Sequence, residues 1–235
     1  MPTINASKYG YMNSSASGTG AFATVRGASS ATGTVVNQSS SNNQFTVRAN
    51  LGFSSKGDSA TLSRTWWAFD VTSYQSGFTI TDLQLQFDPT TNTSTNFPII
   101  VIKSTAQGNA DTNLTAADWN NFDTGTTYTT TSTNNFWPDT NSISTIDLNS
   151  TAIAAFSTGY LKVCIQWVFD FNGIGALSNF NGQGVINYSY TPRIVFTAVA
   201  SGYDKTTNGV TIEEEEPTRI NDVLISSIEK LNDVS

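Results

Sequence analysis

Histidine is absent from these 235 residues. Its absence removes the usual general base near neutral pH, the commonest metal ligand and the proton shuttle of a Ser-His-Asp triad. Cysteine is nearly absent too. Cys164 stands alone, so no internal disulfide can form, and a lone Cys in an apolar strand is expected to be a small buried hydrophobe. Charge is scarce, at 12% Asp, Glu, Lys and Arg. Helix bundles rely on Ala, Glu, Lys and Leu, so this scarcity argues against them. The longest apolar run, Ile99–Ile102, is far short of a membrane span. The first thirty residues lack a charged segment followed by an apolar one. No secretory signal is therefore expected, and folding in a cytoplasm is.

Ser, Thr, Asn and Gly supply the polarity instead, which suits many short strands and long loops. The length allows one large β domain with a real core. Net charge is −7 and unevenly placed: residues 1–200 hold ten acids and eight bases, residues 201–235 eight acids and three bases. A nearly neutral body and an acidic tail offer nothing to a phosphate backbone, so nucleic acid is not an expected partner.

The stretch Arg64–Phe87 organises the chain. Trp66, Trp67 and Phe69 crowd together, Ser76-Gly77 breaks the run, and Leu83, Leu85 and Phe87 then alternate with Gln84 and Gln86. A period of two sets the three apolar residues on one face, and the whole reads as a strand–turn–strand hairpin. Alternation also marks Gln44–Phe53, with Val47, Ala49 and Leu51 against Arg48 and Asn50. In Tyr160–Phe169 it places Leu161, Val163, Ile165 and Trp167 on one face and Lys162, Cys164 and Gln166 on the other. The continuous run Phe97–Lys103 points to a strand buried on both faces or an edge covered by a loop. Further strands are expected in residues 2–12, Ser142–Leu148, Val185–Tyr190 and Arg193–Val199, the last entered behind Pro192. Residues 13–43 read as loops with β-prone pieces at Ala21–Arg26 and Thr34–Val36, and Asp170–Gly184 as a long loop. Two short helices are expected: Leu114–Phe122, with Thr115 and Asp118 as a capping box, and Asn149–Phe156, capped by Asn149. The pattern is all-β, a jelly roll or two-sheet β-sandwich over residues 1–200.

Residues 201–217 read as an acidic linker containing Glu213–Glu216, and residues 218–235 as a separate segment. There Ile220-Asn221-Asp222-Val223 recurs as Leu231-Asn232-Asp233-Val234 eleven residues later. Ile220, Val223, Leu224, Ile228, Leu231 and Val234 fall at helical three- and four-residue steps. A helix this short is marginal alone in water, and its apolar stripe wants a partner. Docking on a neighbouring subunit, or self-association, is the favoured reading, against folding back onto its own domain.

Candidates for chemistry are few. Asp70, Asp88, Asp118 and Asp123 are the carboxylates a glycosidase pair would draw on, yet the first three have turn, loop or cap roles available. No catalytic residue and no cofactor is expected. Asp170-Phe171-Asn172-Gly173 puts oxygen atoms at alternate positions, two of the six to eight that calcium needs. An Asx-rich turn is the favoured reading there, and no metal is expected. Trp66, Trp119 and Trp137, with Tyr128, are candidates for a sugar-stacking platform. Trp66 leads, because alternation sends only one of Trp66 and Trp67 into the core; packing is the competing reading.

The run R-x-W-W-A-F-D-V from Arg64, the glycine turn and TITDLQLQF together resemble the central hairpin of DNRLRE-type domains, which are carbohydrate-module-like jelly rolls. TAADWNNF, the run from Ile143 through Leu148 to Phe156, LKVCIQWVFD and TPRIVFTAV resemble later parts of that family. The resemblance spans about residues 1–200, with Trp67 where leucine or arginine is common. INDVLISSIEKLNDVS resembles the endings of bacteriophage virion proteins, with Asp222 and Asp233 where glycine is usual. These resemblances imply adhesion and assembly rather than catalysis. The expectation is a virion structural protein (capsid decoration, head fibre or tail-associated) assembled in the host bacterial cytoplasm. It would be tied to other virion proteins through its tail and homo-oligomeric, with a surface glycan as a further candidate partner. The alternative is a carbohydrate-binding module of a bacterial surface or secreted protein.

Overall fold

Short segments rich in β-branched and aromatic residues pair here into two antiparallel sheets. The computed structural model describes residues 1–37, 45–52, 55, 57–92, 97–107, 112–129, 135–136, 143–156, 159–174, 179–186 and 190–200. In chain order the elements are β1 (Thr3–Asn5), β2 (Lys8–Ser17), α1 (Ala21–Gly27), β3 (Val35–Asn37), β4 (Phe45–Gly52), β5 (Ser59–Asp70), β6 (Phe78–Phe87) and β7 (Pro89–Asn92). There follow β8 (Pro98–Ser104), a 3₁₀ turn at Ala116–Asn120, β9 (Phe122–Thr127), β10 (Asn135–Phe136), β11 (Ser144–Asp147), α2 (Ser150–Ala155), β12 (Tyr160–Trp167), α3 (Val168–Asn172), β13 (Phe180–Ile186) and β14 (Arg193–Ala200). Met1–Ala200 form one compact unit. The expected linker and docking segment, residues 201–235, lie outside the described residues.

The smaller sheet has four strands in the order β1-β14-β6-β11, and the larger has ten, with β10-β8-β12-β5-β4-β13-β7 as its path. Each internal visit of the chain to the small sheet is a single strand flanked by strands of the large one. The connection from β5 to β6 is therefore an arch between sheets, not the hairpin the sequence suggests. Alternation fixes which face of a strand is apolar but does not say which strand lies beside it. The cross-strand row Ile4, Ile194, Leu85 and Ile146 turns the small sheet's apolar face inward.

β5 is the axis of the large sheet. Along one edge it pairs with β2 from Ser59 to Ala68. Along the other it pairs with β4 up to Ser63 and with β12 from Thr65. The change of partner falls at Arg64. Trp67 meets Phe87 of β6 at 5.5 Å between ring centroids, so its face looks into the space between the sheets. Trp66 points the opposite way, as strand geometry requires, and meets Trp119 at 6.4 Å. That second face is covered as well, by α1 and the 3₁₀ turn, and both tryptophans are 0% exposed. Alternation therefore distributes this pair between two interiors rather than between core and water.

The same double cover explains β12. Lys162, Cys164 and Gln166, which alternation sets opposite Leu161, Val163, Ile165 and Trp167, are buried too, Cys164 as expected. The Lys162 ammonium rests on the carbonyls of Ala106 (3.4 Å) and Gln107 (3.3 Å). β8, with Ile99, Ile100, Val101 and Ile102 all buried, matches the expectation of a strand covered on both faces.

The first half of β5 differs. Ala60 and Leu62 are buried with Ala49 and Leu51 of β4, but the opposite face opens to solvent. Register aligns Asn13, Ser63, Arg48 and Gln183 in one row across β2, β5, β4 and β13. The next row outward is Ser15, Thr61, Asn50 and Asn181. Ser63 is buried, Arg48 and Gln183 are half-buried, and Ser15 and Asn181 are exposed. The two rows form a polar ledge, graded from interior to water.

Other local expectations divide in the same physical way. Asn149 caps α2, its Oδ1 accepting from the backbone of Thr151 (3.0 Å) and Ala152 (3.1 Å). Asp118 accepts from the N–H and hydroxyl of Thr115 at 2.8 and 3.0 Å, as the capping-box motif proposes, though the element is 3₁₀. Ala21–Arg26 is helical, not β: Ala21 and Val25, four apart, bury one face of α1. Asp170–Gly184 is not one loop, since it contains the end of α3 and most of β13. β13 is disguised by glycine. At Gly182 a Cβ would lie 2.5 Å from the Phe97 ring and 2.7 Å from that of Phe180. Only glycine lets those rings pack flat on the strand.

Candidate functional site

The densest polar cluster is built around Arg64, which is 0% exposed. Its Nε and Nη2 donate to the two carboxylate oxygens of Asp170 at 2.7 and 2.8 Å. Its Nη1 donates to the Trp119 carbonyl and to Asn120 Oδ1, both at 2.8 Å. The guanidinium lies 4.1 Å from the Trp119 ring centroid and 4.9 Å from that of Phe122. A planar, permanently charged fork suits this bidentate, stacked position, which an ammonium would not fill. Arg26 approaches from α1. It donates to the carbonyls of Asp170 (2.6 Å) and Phe171 (3.1 Å), where the end of a helix carries partial negative charge. α3 closes there with Gly173 at φ 70 and the Ile174 N–H donating to the Phe169 carbonyl at 3.0 Å. Trp119 Nε1 donates to the Val25 carbonyl at 2.9 Å, and Asn120 Nδ2 to that of Ala28 at 2.6 Å.

Arg64 thus ties β5, α3 and the 3₁₀ turn together, and Arg26 and the Trp119 indole join α1 to them. The cluster holds shape and offers no reacting group. The nearby Cys164 thiol is pushed up, chiefly by burial, with Asp170 adding to the shift and Arg64 opposing it. It stays protonated and unreactive.

The sequence candidates can now be placed. Trp66 and Trp119 are 0% exposed and pack against each other, so neither has a face for a sugar. The stacking expectation fails for both because the second face of the large sheet is an interior. Tyr128 is buried also. Trp137 lies outside the described residues, as do Ile220, Val223, Leu224, Ile228, Leu231 and Val234. Asp170 is not part of an Asx turn. It sits in α3 with both carboxylate oxygens on Arg64, leaving none for a cation, while Asn172 is exposed at the helix end.

Asp70, Asp118 and Asp123 serve local turns and a cap. Asp70 accepts from the Thr72 hydroxyl (2.6 Å) and N–H (3.0 Å), and these bonds lower its pKa. Asp123 accepts from the Thr126 hydroxyl (2.6 Å) and the Gly125 N–H (2.9 Å), with the same result. For Asp118 burial alone would raise the pKa, but bonds from Thr115, Asn121 and Gln107 outweigh it and the net shift is down. A general acid at a glycosidic bond needs a raised pKa, the opposite direction.

No protein-family model matches the sequence, and no curated protein matches it either. The surface that sequence reading missed is the ledge of Arg48, Asn50, Thr61 and Asn181. Its signal was present in the alternation of Arg48 and Asn50 with Val47, Ala49 and Leu51. The companion strands β2 and β13 were hidden by serine and glycine. Among the described residues no helix is long and apolar enough to cross a membrane.

Proposed function

We propose that this protein is a non-enzymatic structural component of a bacteriophage particle, a capsid decoration, head fibre or tail-associated protein. The sandwich is its displayed part, and residues 218–235 fasten it to other virion proteins or to further copies of itself. One observation carries the reading. The compact unit ends at Ala200, and the sequence after it holds an acidic run and then an apolar stripe from Ile220 to Val234. Within Met1–Ala200 the tested carboxylates act in caps, turns and an ion pair, which supports a passive module. The competing reading, a free-standing sugar-binding module, loses Trp66 and Trp119 as stacking residues.

Mass spectrometry of purified particles should find the chain. Deleting residues 210–235 should abolish its incorporation while the sandwich still folds. Particles that carry the truncated protein at full occupancy would refute the anchoring role.

A further inference from the structure

We propose that Asn172 is a self-modifying site: in the folded chain it loses its carboxamide nitrogen by reaction with the Gly173 backbone, leaving aspartate or isoaspartate at the end of α3. Asparagine followed by glycine is open to this reaction because no Cβ shields the glycine nitrogen. The Gly173 nitrogen gives its proton to hydroxide and attacks Asn172 Cγ. The bond from Cγ to the side-chain nitrogen breaks, a proton returns to that nitrogen, and ammonia leaves behind a succinimide ring. Water then opens the ring at either carbonyl. Water enters, ammonia departs, and nothing is oxidised or reduced.

The motif Phe-Asn-Gly stands twice among the described residues, at 171–173 and 180–182, and only the first setting lets the ring close. Asn172 is exposed and is the last residue of a five-residue helix. The Gly173 N–H donates to the Asp170 carbonyl at 3.3 Å, a long bond, and helix ends fray at little cost. Arg26 is the second support. A Cβ built at Gly173 would lie 3.0 Å from the Arg26 Cζ and 3.1 Å from Nη1 and Nη2, so the guanidinium rests on this glycine. Its Nε and Nη2 hold the carbonyls of Asp170 and Phe171, and Nη1 has no hydrogen bond among the described residues. A cation there favours both the nitrogen anion that attacks and the oxyanion that forms on Cγ. Asn181 is exposed as well, but Gly182 is buried. Its strand runs in register with β4 from Phe180 to Ile186, and the Phe97 and Phe180 rings press on it. Ring closure at Asn181 requires β13 to leave the sheet, an opening that costs nearly as much as unfolding. Conversion at Asn172 adds one negative charge beside Arg26, and isoaspartate also lengthens the main chain by a methylene inside the closing turn of α3. This inference does not depend on the tail, and failure of particle incorporation would leave it standing.

The test holds the full chain in mildly alkaline buffer, folded in one sample and in urea in another, and follows each peptide by mass spectrometry. Asn208-Gly209, outside the described residues, falls in a separate peptide and is not scored. In the folded chain Asn172 should convert at least about tenfold faster than Asn181, with isoaspartate among the products. In urea the two should convert at similar rates, since the fold no longer separates them. Asn172→Gln, whose longer side chain disfavours ring closure, should keep its carboxamide in both samples. An Asn172 that stays intact while the chain is folded, conversion there no faster than at Asn181, or a tenfold difference that persists in urea would overturn the proposal.

Discussion

The two halves of β5 share one strand and one neighbour, β2, yet live in different surroundings. From Thr65 to Phe69 both faces are interior: Trp67 looks toward the small sheet and Trp66 toward α1 and the 3₁₀ turn. From Ser59 to Ser63 one face is interior and the other is the ledge. The difference comes from what covers the sheet, not from the strand itself. In this sandwich, aromatic residues mark where cover is complete, and small polar residues mark where it stops.

Substitutions can break this contrast, and the largest effect is expected at the partner switch. Arg64→Met leaves the Asp170 carboxylate buried without its partner and should cost about 3–5 kcal/mol, read by denaturant unfolding. The double variant with Asp170→Leu should recover part of that loss, since removing both charges is far less costly than removing one. Trp66→Ala should cost about 3–5 kcal/mol through the cavity it leaves, while Thr61→Ala on the ledge should stay within about 0.5 kcal/mol. Equal losses at Trp66 and Thr61 would erase the distinction between the halves. Asn149→Ala removes the α2 cap and should cost about 1 kcal/mol.

The smallest effect concerns pH. Asp118 is held below its ordinary value of 3.8, so the folded state binds its proton less readily than the unfolded state does. Its contribution is fully present above that value and is lost as pH falls through the lower folded one. Urea midpoints at pH 7 and pH 3 should therefore differ less in Asp118→Asn than in the parent. An unchanged difference would mean that the Thr115, Asn121 and Gln107 bonds carry no linkage.

Much of this was legible in the sequence because it is local. The Asn149 cap, the Thr115–Asp118 box, the apolar face of β6 and the run of β8 each depend on residues within a few positions of one another. The two-sheet architecture followed from their number and spacing. What could not be read is what depends on neighbours distant in sequence. The arch from β5 to β6 looks like a hairpin until their partners are known. Arg64 and Asp170 are 106 residues apart, and nothing near either announces the other. The second cover over Trp66 comes from α1 and the 3₁₀ turn, so alternation alone sent that residue to the surface. α1 escaped because a seven-residue helix offers one buried i,i+4 pair, Ala21 and Val25. β13 escaped because Gly182, which the Phe97 and Phe180 rings require, reads as a loop.

The account rests on a contrast along one strand: Trp66 lies in an interior, and Thr61 stands on a face that opens to solvent. The most direct test sets the urea unfolding of Thr61→Ala beside that of Trp66→Ala. The first should match the parent within about 0.5 kcal/mol, and the second should lose about 3–5 kcal/mol. A large loss at Thr61 beside parent-like stability in Trp66→Ala would contradict the account.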